Sequence, residues 1–443
     1  MKEASRLGQV SWALFDWANQ PFFTVVTTFI FAPYFANVMV GDAVAGQTAW
    51  AFTQSASGII IAVLSPFLGA MADAGGRRKP YVFFFQLLLF IGCWALWWAY
   101  PHRPDLARPI GWAVVLATVG AEMSIVFNNA QLPDIVRPER IGRLSGFGWG
   151  LGYVGGLIAL SMVLVAQAFA GFDGESHMLE RLTGPASSVW LALFVLPMFL
   201  FTPDAAPKRL SLLAAAHQGG VSLLATLRRI RAYRNALTFL IAFMFYNDGL
   251  AAVIAFGGVY ASATFHWSVT TLGIFGIIIT VFAIPGAFWG GRLDDRLGSK
   301  RTIQLTTAGV IIAALGILGV TGDRVFFFLP AEPLGDARGL FGSAQEKVFM
   351  AFALLLGFCM GPMQAASRTM VGRLAPPGMA GEFYGLFALS GRATAWMAPL
   401  FIGIVTAAVQ SNRLGVACVL VFLVLGFALL TQVSERSSQR RDA

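Results

Sequence analysis

Residues 69–79 read Gly69-Ala-Met-Ala-Asp73-Ala-Gly-Gly76-Arg77-Arg78-Lys79, and residues 291–301 read Gly291-Arg-Leu-Asp294-Asp295-Arg-Leu-Gly298-Ser-Lys300-Arg301. Shifted by 222 positions, Gly69 meets Gly291, Asp73 meets Asp295, Gly76 meets Gly298, Arg78 meets Lys300 and Lys79 meets Arg301. Each copy lies between two long apolar segments, about halfway through its half of the chain. A polar, basic loop that recurs at half-chain spacing is what two membrane-spanning repeats in one chain leave in a sequence. Pro138, Gly142, Gly146 and Gly152 recur as Pro377, Gly381, Gly385 and Gly391, now 239 positions apart. The larger shift is absorbed by an insertion at 322–346.

Composition agrees. The chain is 57% hydrophobic and only 12% charged, about half the charge of a soluble protein. Continuous apolar runs near span length predict an all-α polytopic membrane protein and not a β-barrel, which needs short alternating segments. Helices are predicted at 11–39, 50–72, 81–100, 110–132, 145–170, 187–203, 236–262, 268–290, 302–321, 347–372, 382–409 and 413–432. That gives twelve transmembrane helices in two six-helix bundles: an N-terminal bundle over 1–203, a basic linker over 204–235, and a C-terminal bundle with a basic tail over 236–443. In the linker, Leu223, Leu227 and Ile230 predict an amphipathic helix on the membrane surface.

Lysine and arginine set the orientation. With the N-terminus in the cytoplasm, 23 fall on inside segments and 7 on outside segments, with Arg392 inside a helix. The positive-inside rule then puts both termini and the linker in the cytoplasm, in a cell inner (plasma) membrane. Topology thus accounts for the net charge of +9, with no need for a nucleic-acid partner. The three cysteines lie inside apolar runs and read as packing residues. No Walker loop, metal-ligand spacing or nucleophile elbow is present, so no enzyme activity, cofactor or metal is expected, and a monomer is expected.

The repeated loop resembles the signature between helices 2 and 3 of the major facilitator superfamily, G-x-L-A-D-x-x-G-R-[KR]. Met71 and Asp294 depart from it. Further strings are Asp16-Trp17-Ala18-Asn19 in helix 1, Tyr246-Asn247-Asp248-Gly249 in helix 7, and Glu382-Phe383-Tyr384-Gly385 followed by Ser390-Gly391-Arg392 in helix 11. Together they resemble the vacuole-effluxer-like branch, whose bacterial members are called unknown major facilitators. The resemblance runs from helix 1 to helix 11. It implies a major facilitator fold, with amino-acid export among the functions of fungal relatives.

Two groups of candidate residues follow. Gly69, Asp73, Gly76, Arg77 and Arg78, with Gly291, Asp295, Gly298 and Lys300, are the gating candidates: glycine allows close helix approach, and an aspartate can bind the N-terminus of a neighbouring helix. The second group is polar residues at depth, each of which needs a reason because an intramembrane charge costs roughly 2.5–3.5 kcal/mol. Arg392, Asp248, Asn247, Glu122, Asn129 and Gln364 are the candidates for binding substrate. Asp248, Glu122 and Asp16 are the candidates for carrying protons. Asp16, Gln20, Thr24 and Thr27 share one helix face, and Pro21 predicts a kink. Arg368 reads as a snorkelling residue. The function expected is secondary transport of a small polar or zwitterionic solute by alternating access. The alternatives are export of drug-like or lipid-like amphiphiles, and a transport-inactive sensor.

Topology is checked by labelling. Single cysteines at Arg77 or Lys300 are expected to react with an impermeant thiol reagent only from the cytoplasm, and one at Asp173 only from outside. Same-side labelling of positions 77 and 173 would break the helix count.

Overall fold

The computed structural model describes residues 3–435 except 42, 170–175, 209, 229, 266, 268, 333–339, 396 and 410. The helices in chain order are α1 (Arg6–Pro21), α2 (Phe31–Tyr34), α3 (Ala43–Gly75), α4 (Lys79–Ala95), α5 (Ala107–Ile135), α6 (Ile141–Phe169), α7 (Met178–Phe201) and α8 (Leu212–Arg228). They continue with α9 (Arg234–Phe265), α10 (Val269–Leu297), α11 (Ser299–Leu318), α12 (Ala344–Leu374), α13 (Ala380–Ala393), α14 (Met397–Val409) and α15 (Asn412–Thr431). A two-strand hairpin, β1 (Arg324–Val325) with β2 (Leu329–Pro330), occupies part of the insertion. Among the described residues, eleven helical segments are long and apolar enough to cross a bilayer.

Contacts divide the chain into two units. The first holds Met1–Arg229 and Ala375–Leu389; the second holds Ile230–Leu374 and Ser390–Ala443. In the first, α1 packs on α6 and α7, α4 on α5, and α3 on α5 and α8. In the second, α12 packs on α10 and α11, and α15 on α9 and α14. Without a hydrophobic drive between helices in lipid, close backbone contact must supply the cohesion. The α4–α5 pair shows how: a methyl added at Gly92 would sit 2.6 Å from the Ala113 carbonyl oxygen, and one at Gly120 would sit 2.6 Å from that of Phe85.

Three sequence expectations are corrected. Helix 1 is not one regular helix. After Pro21, which has no N–H to give, the chain runs as π-helix over Phe22–Phe29 and again over Phe35–Met39. The predicted helix at 382–409 is interrupted by a turn at Thr394 and Ala395, leaving α13 and α14, of 14 and 13 residues, each too short to span alone. The sixth span starts at Met178, not 187. Its first turn carries Glu180 and Arg181, which read as loop residues. Arg181 is tolerated because its guanidinium lies over the rings of Trp97 and Tyr100 and donates to the Trp97 carbonyl at 3.0 Å. The linker forms a helix, α8, that packs on α3. Ala215, Gly219 and Thr226 are buried, while Leu213, Val221 and Leu224 face outward. Leu223 is half-buried, and the Leu227 and Ile230 side chains lie outside the described residues.

Gly120→Val is expected to destabilise by about 1–3 kcal/mol through overpacking of α4 on α5, read as a lower melting temperature in detergent. Gly58 has open space where a Cβ would be. Gly58→Ala is expected to melt at or slightly above the parent temperature, since alanine suits a helix better.

Candidate functional site

The first repeated loop builds a tertiary helix cap. Asp73 is buried near the end of α3. Its carboxylate accepts the backbone N–H of Gly381 at 3.0 Å and of Glu382 at 2.8 Å. Those amides belong to the first turn of α13, where an α-helix leaves N–H groups unsatisfied and carries a partial positive charge. Glycine makes the approach possible: a methyl at Gly69 would strike the Gly381 carbonyl, and one at Gly381 would lie 2.9 Å from Asp73 Oδ1. One turn further, the Ser65 hydroxyl donates to the Gly385 carbonyl at 3.0 Å.

Arg78 holds Asp73 in place. Its guanidinium bonds Asp73 at 3.2 Å and also Asp134 at the end of α5. Burial alone would lower the Arg78 pKa, but the two carboxylates carry it above its ordinary value. Arg77, by contrast, is exposed. Gly76 turns the chain out of α3 with φ of +87°, in the left-handed region open to glycine. Asp204, just past α7, then caps α4: it accepts the amides of Arg78 at 2.9 Å and Lys79 at 3.2 Å.

The second copy repeats the construction with a change of register. Gly298 also has φ of +87°, yet α11 starts at the very next residue. Glu435, just past α15, accepts the amides of Ser299 at 2.5 Å and Lys300 at 3.2 Å. Lys300 therefore does the work of Lys79, not of Arg78 as the sequence match pairs them. The acid in the buried cluster is Asp294, 1% exposed, and not its neighbour Asp295, which is half-buried. Asp294 accepts from Arg373 at 2.6 Å and from the Ser299 hydroxyl at 2.9 Å, and Arg373 also reaches Glu435 at 2.8 Å. Gly291 is buried at the same helix end. Sequence reading passed over Asp134, Asp204, Asp294, Arg373 and Glu435. One signal was available: Asp204 and Glu435 each stand a few residues beyond the last span of their half.

The deep polar residues fall in both units. In the second, Asp248 on α9 is 3% exposed, and neither carboxylate oxygen has a hydrogen-bond partner among the described residues. The Thr394 hydroxyl lies beside it, at the break between α13 and α14. Arg392 is the penultimate residue of α13, directly before that break. Asn247 approaches the same helix: a methyl at Gly391 would lie 3.9 Å from Asn247 Nδ2. Asn247, Asp248 and Thr394 thus come together where α9 meets the interrupted helix, and Arg392 stands two residues before Thr394 in the chain. Gln364 is half-buried on α12, and α12 is tied to α9 by the Tyr246–Ser367 hydroxyl pair at 2.7 Å. Arg368 is 3% exposed and so does not snorkel.

The first unit holds the other candidates. Glu122 is half-buried and Asn129 buried on α5. Asp16 lies ten residues into α1, deeper than the predicted helix start implied. Its stripe packs against α6: a methyl at Gly152 would be 3.6 Å from Asp16 Cβ, and one at Gly156 would be 2.8 Å from Gln20 Cγ. This makes Asp16 part of a helix contact. A chain of buried amides sequence reading missed joins α1, α4 and α5, with Gln86 donating to Asn19 at 2.9 Å and to Ser124 at 2.7 Å.

The chain is 27% identical over 438 residues to YxiO of Bacillus subtilis (strain 168), an uncharacterized MFS-type transporter, covering 97% of this chain and 95% of that one. It is 25% identical over 303 residues to autophagy-related protein 22 of Cryptococcus neoformans var. neoformans serotype D (strain JEC21), covering 67% of this chain and 51% of the fungal protein. Among solved structures, FucP in the outward conformation superposes with a TM-score of 0.69 at 14% identity, over 97% of this chain and 98% of that chain. The human organic anion transporter MFSD10 gives 0.67 at 14% identity, over 96% and 99%. At these identities the structural likeness speaks for the fold alone, the major facilitator fold. A family profile described as vacuole effluxer Atg22 like matches residues 37–443, and with the transporter fold in place the chain belongs to that family of major facilitator transporters.

Proposed function

We propose that this chain is a secondary carrier that exports a small zwitterionic solute, such as an amino acid, by alternating access with proton coupling at Asp248. The observation that supports the reading is the turn at Thr394 and Ala395 beside Asp248. Interrupted helices in membranes occur where irregular backbone lines a cavity, and their ends bind substrate. A guanidinium fork at Arg392 suits a solute carboxylate, with two parallel hydrogen bonds. Asp248 suits the ammonium of the same solute. At that depth a carboxylate without a partner costs roughly 2.5–3.5 kcal/mol, which either a proton or a cationic group relieves. Asn247 and Gln364 supply neutral hydrogen-bonding groups. Glu122 and Asn129 are the candidates contributed by the first unit, and Glu122 is the second candidate for proton transfer. The family description as effluxers favours export. The basic loops favour an inner membrane with both termini in the cytoplasm.

Gating follows from α13. Its first turn is held by Asp73, and Arg392 stands at its other end, about 15 Å away at 1.5 Å rise per residue. A solute that draws on Arg392 pulls on the helix that Asp73 caps. Release of the cap then accompanies movement of the binding end. Gly69, Gly76, Arg77 and Arg78 serve that closure, and Gly291, Asp295, Gly298 and Lys300 hold the corresponding positions in the second repeat.

The test is binding and transport in vesicles. Arg392→Gln is expected to weaken binding of amino acids at least tenfold, and of their amides far less, with Arg392→Lys recovering part. Asp248→Asn is expected to abolish accumulation driven by a pH gradient while sparing downhill exchange. Equal losses for acid and amide would make Arg392 structural, and unchanged accumulation would remove Asp248 from coupling. A thermal-shift screen in which only amphiphiles stabilise the protein would favour the exporter reading instead.

Asp73→Asn keeps one acceptor oxygen but removes the charge, a loss of about 1 kcal/mol at a helix end. The expected result is near-normal folding with about a fivefold change in transport rate and in reactivity of a cysteine at Ser65. Parental transport and reactivity would reduce the cap to a static anchor.

A further inference from the structure

The two helix caps frame matching cavities. In the first unit a cavity of about 520 Å³ opens between the start of α4 and the chain leaving α7, walled by Arg77, Lys79, Phe83, Phe199 and Asp204 among others. In the second unit one of about 660 Å³ opens between the start of α11 and the end of α15, walled by Lys300, Arg301, Gln304, Thr431 and Glu435 among others. Both are built alike. Lys79 Nζ donates to the Phe199 carbonyl at 2.8 Å, and Lys300 Nζ donates to the Thr431 carbonyl at 2.7 Å. Asp204 and Glu435 occupy the helix amides. An incoming anion therefore meets side-chain cations and not a bare helix end. Arg77 and Arg301 are exposed and make no ion pair among the described residues.

We propose that each cavity seats the headgroup phosphate of an anionic phospholipid, held by Arg77 with Lys79 in the first unit and by Arg301 with Lys300 in the second. Charge selects the ligand. In the first cavity two cations stand against one carboxylate, leaving a single positive charge. That matches a phosphodiester, which carries one negative charge, better than free phosphate, which carries up to two. The surroundings select a lipid. Both cavities lie at the ends of bilayer-spanning helices, on loops that the positive-inside rule assigns to the cytoplasmic face, where anionic lipids attract basic residues. Phe83, one turn into α4, is 60% exposed, and Leu297 at the second cavity is 38% exposed. Each offers an apolar wall for an acyl chain. The same design in both repeats, from different residues, argues that the cavity is a feature of the repeat and not of one loop.

The test titrates dioleoyl phosphatidylglycerol, dioleoyl phosphatidylcholine and inorganic phosphate onto the delipidated full chain, read by native mass spectrometry and by thermal shift. Two phosphatidylglycerol adducts are expected, with half-saturation at least tenfold below that for phosphatidylcholine and weakening in high salt. Arg77→Gln and Arg301→Gln are each expected to lose one adduct and about fivefold in affinity at that site. Arg77→Lys and Arg301→Lys are expected to retain both adducts, which separates lost charge from lost fold, and the parental melting temperature in phosphatidylcholine checks the fold of every variant. Undiminished phosphatidylglycerol binding by the double Gln variant, equal binding of phosphatidylcholine, or equal protection by inorganic phosphate would each overturn the proposal.

Discussion

The contact on which the architecture turns is a carboxylate, Asp73, closing the open end of α13. A helix start in or near lipid has several N–H groups that no water satisfies, and each buried one left unmet costs about 1–3 kcal/mol. Local caps come from the residue just before the helix. Here the acceptor comes from α3, more than 300 residues earlier in the chain. The first turn of α13 is therefore satisfied only while α3 stays beside it. Gly69 and Gly381 set how near the two backbones come, Arg78 holds the carboxylate, and Asp134 holds Arg78. Removing any one leaves buried polar groups without partners, so the cluster is formed or broken as a set.

The same solution recurs at α4 and α11, capped by Asp204 and Glu435. These acids follow the last helix of each half, so they bind the start of one helix to the end of another. Lys79 and Lys300 complete the exchange by donating to the last turns of α7 and α15, where carbonyls lack intrahelical donors. Each link is a charge-assisted bond between opposite helix ends, favourable by dipole as well as by hydrogen bonding. The two repeats thus share a reciprocal helix-end lock whose residues stand one position apart in the sequence match.

α13 runs from the Asp73 cap at its first turn to the turn at Thr394. Residues 380–389 of this helix belong to the first unit and residues 390–393 to the second. The turn after Ala393 replaces regular helix bonds with tighter ones, the Ala395 N–H to the Arg392 carbonyl at 3.4 Å and the Met397 N–H to the Thr394 carbonyl at 2.7 Å, beside Asp248. The segment between cap and turn is a 14-residue helix.

The sequence by itself determined the membrane class, nearly all the spans, the internal duplication and the branch of the superfamily. Those properties rest on signals local to the chain: run length, charge placement and short strings around Asp73 and Asn247. It also marked Asp248 and Arg392, because a charge inside an apolar run stands out without any partner being known. Only the tertiary structure decided what these residues meet. Helix 11 reads as one apolar run, and only the structure shows the turn at Thr394 and Ala395 that divides it. Asp294 and Asp295 are adjacent and chemically the same, so no sequence rule could choose which one Arg373 and Ser299 would hold. The choice belongs to the rotation of α10 about its axis, which brings successive residues round by about 100° each and turns one acid inward and the next aside.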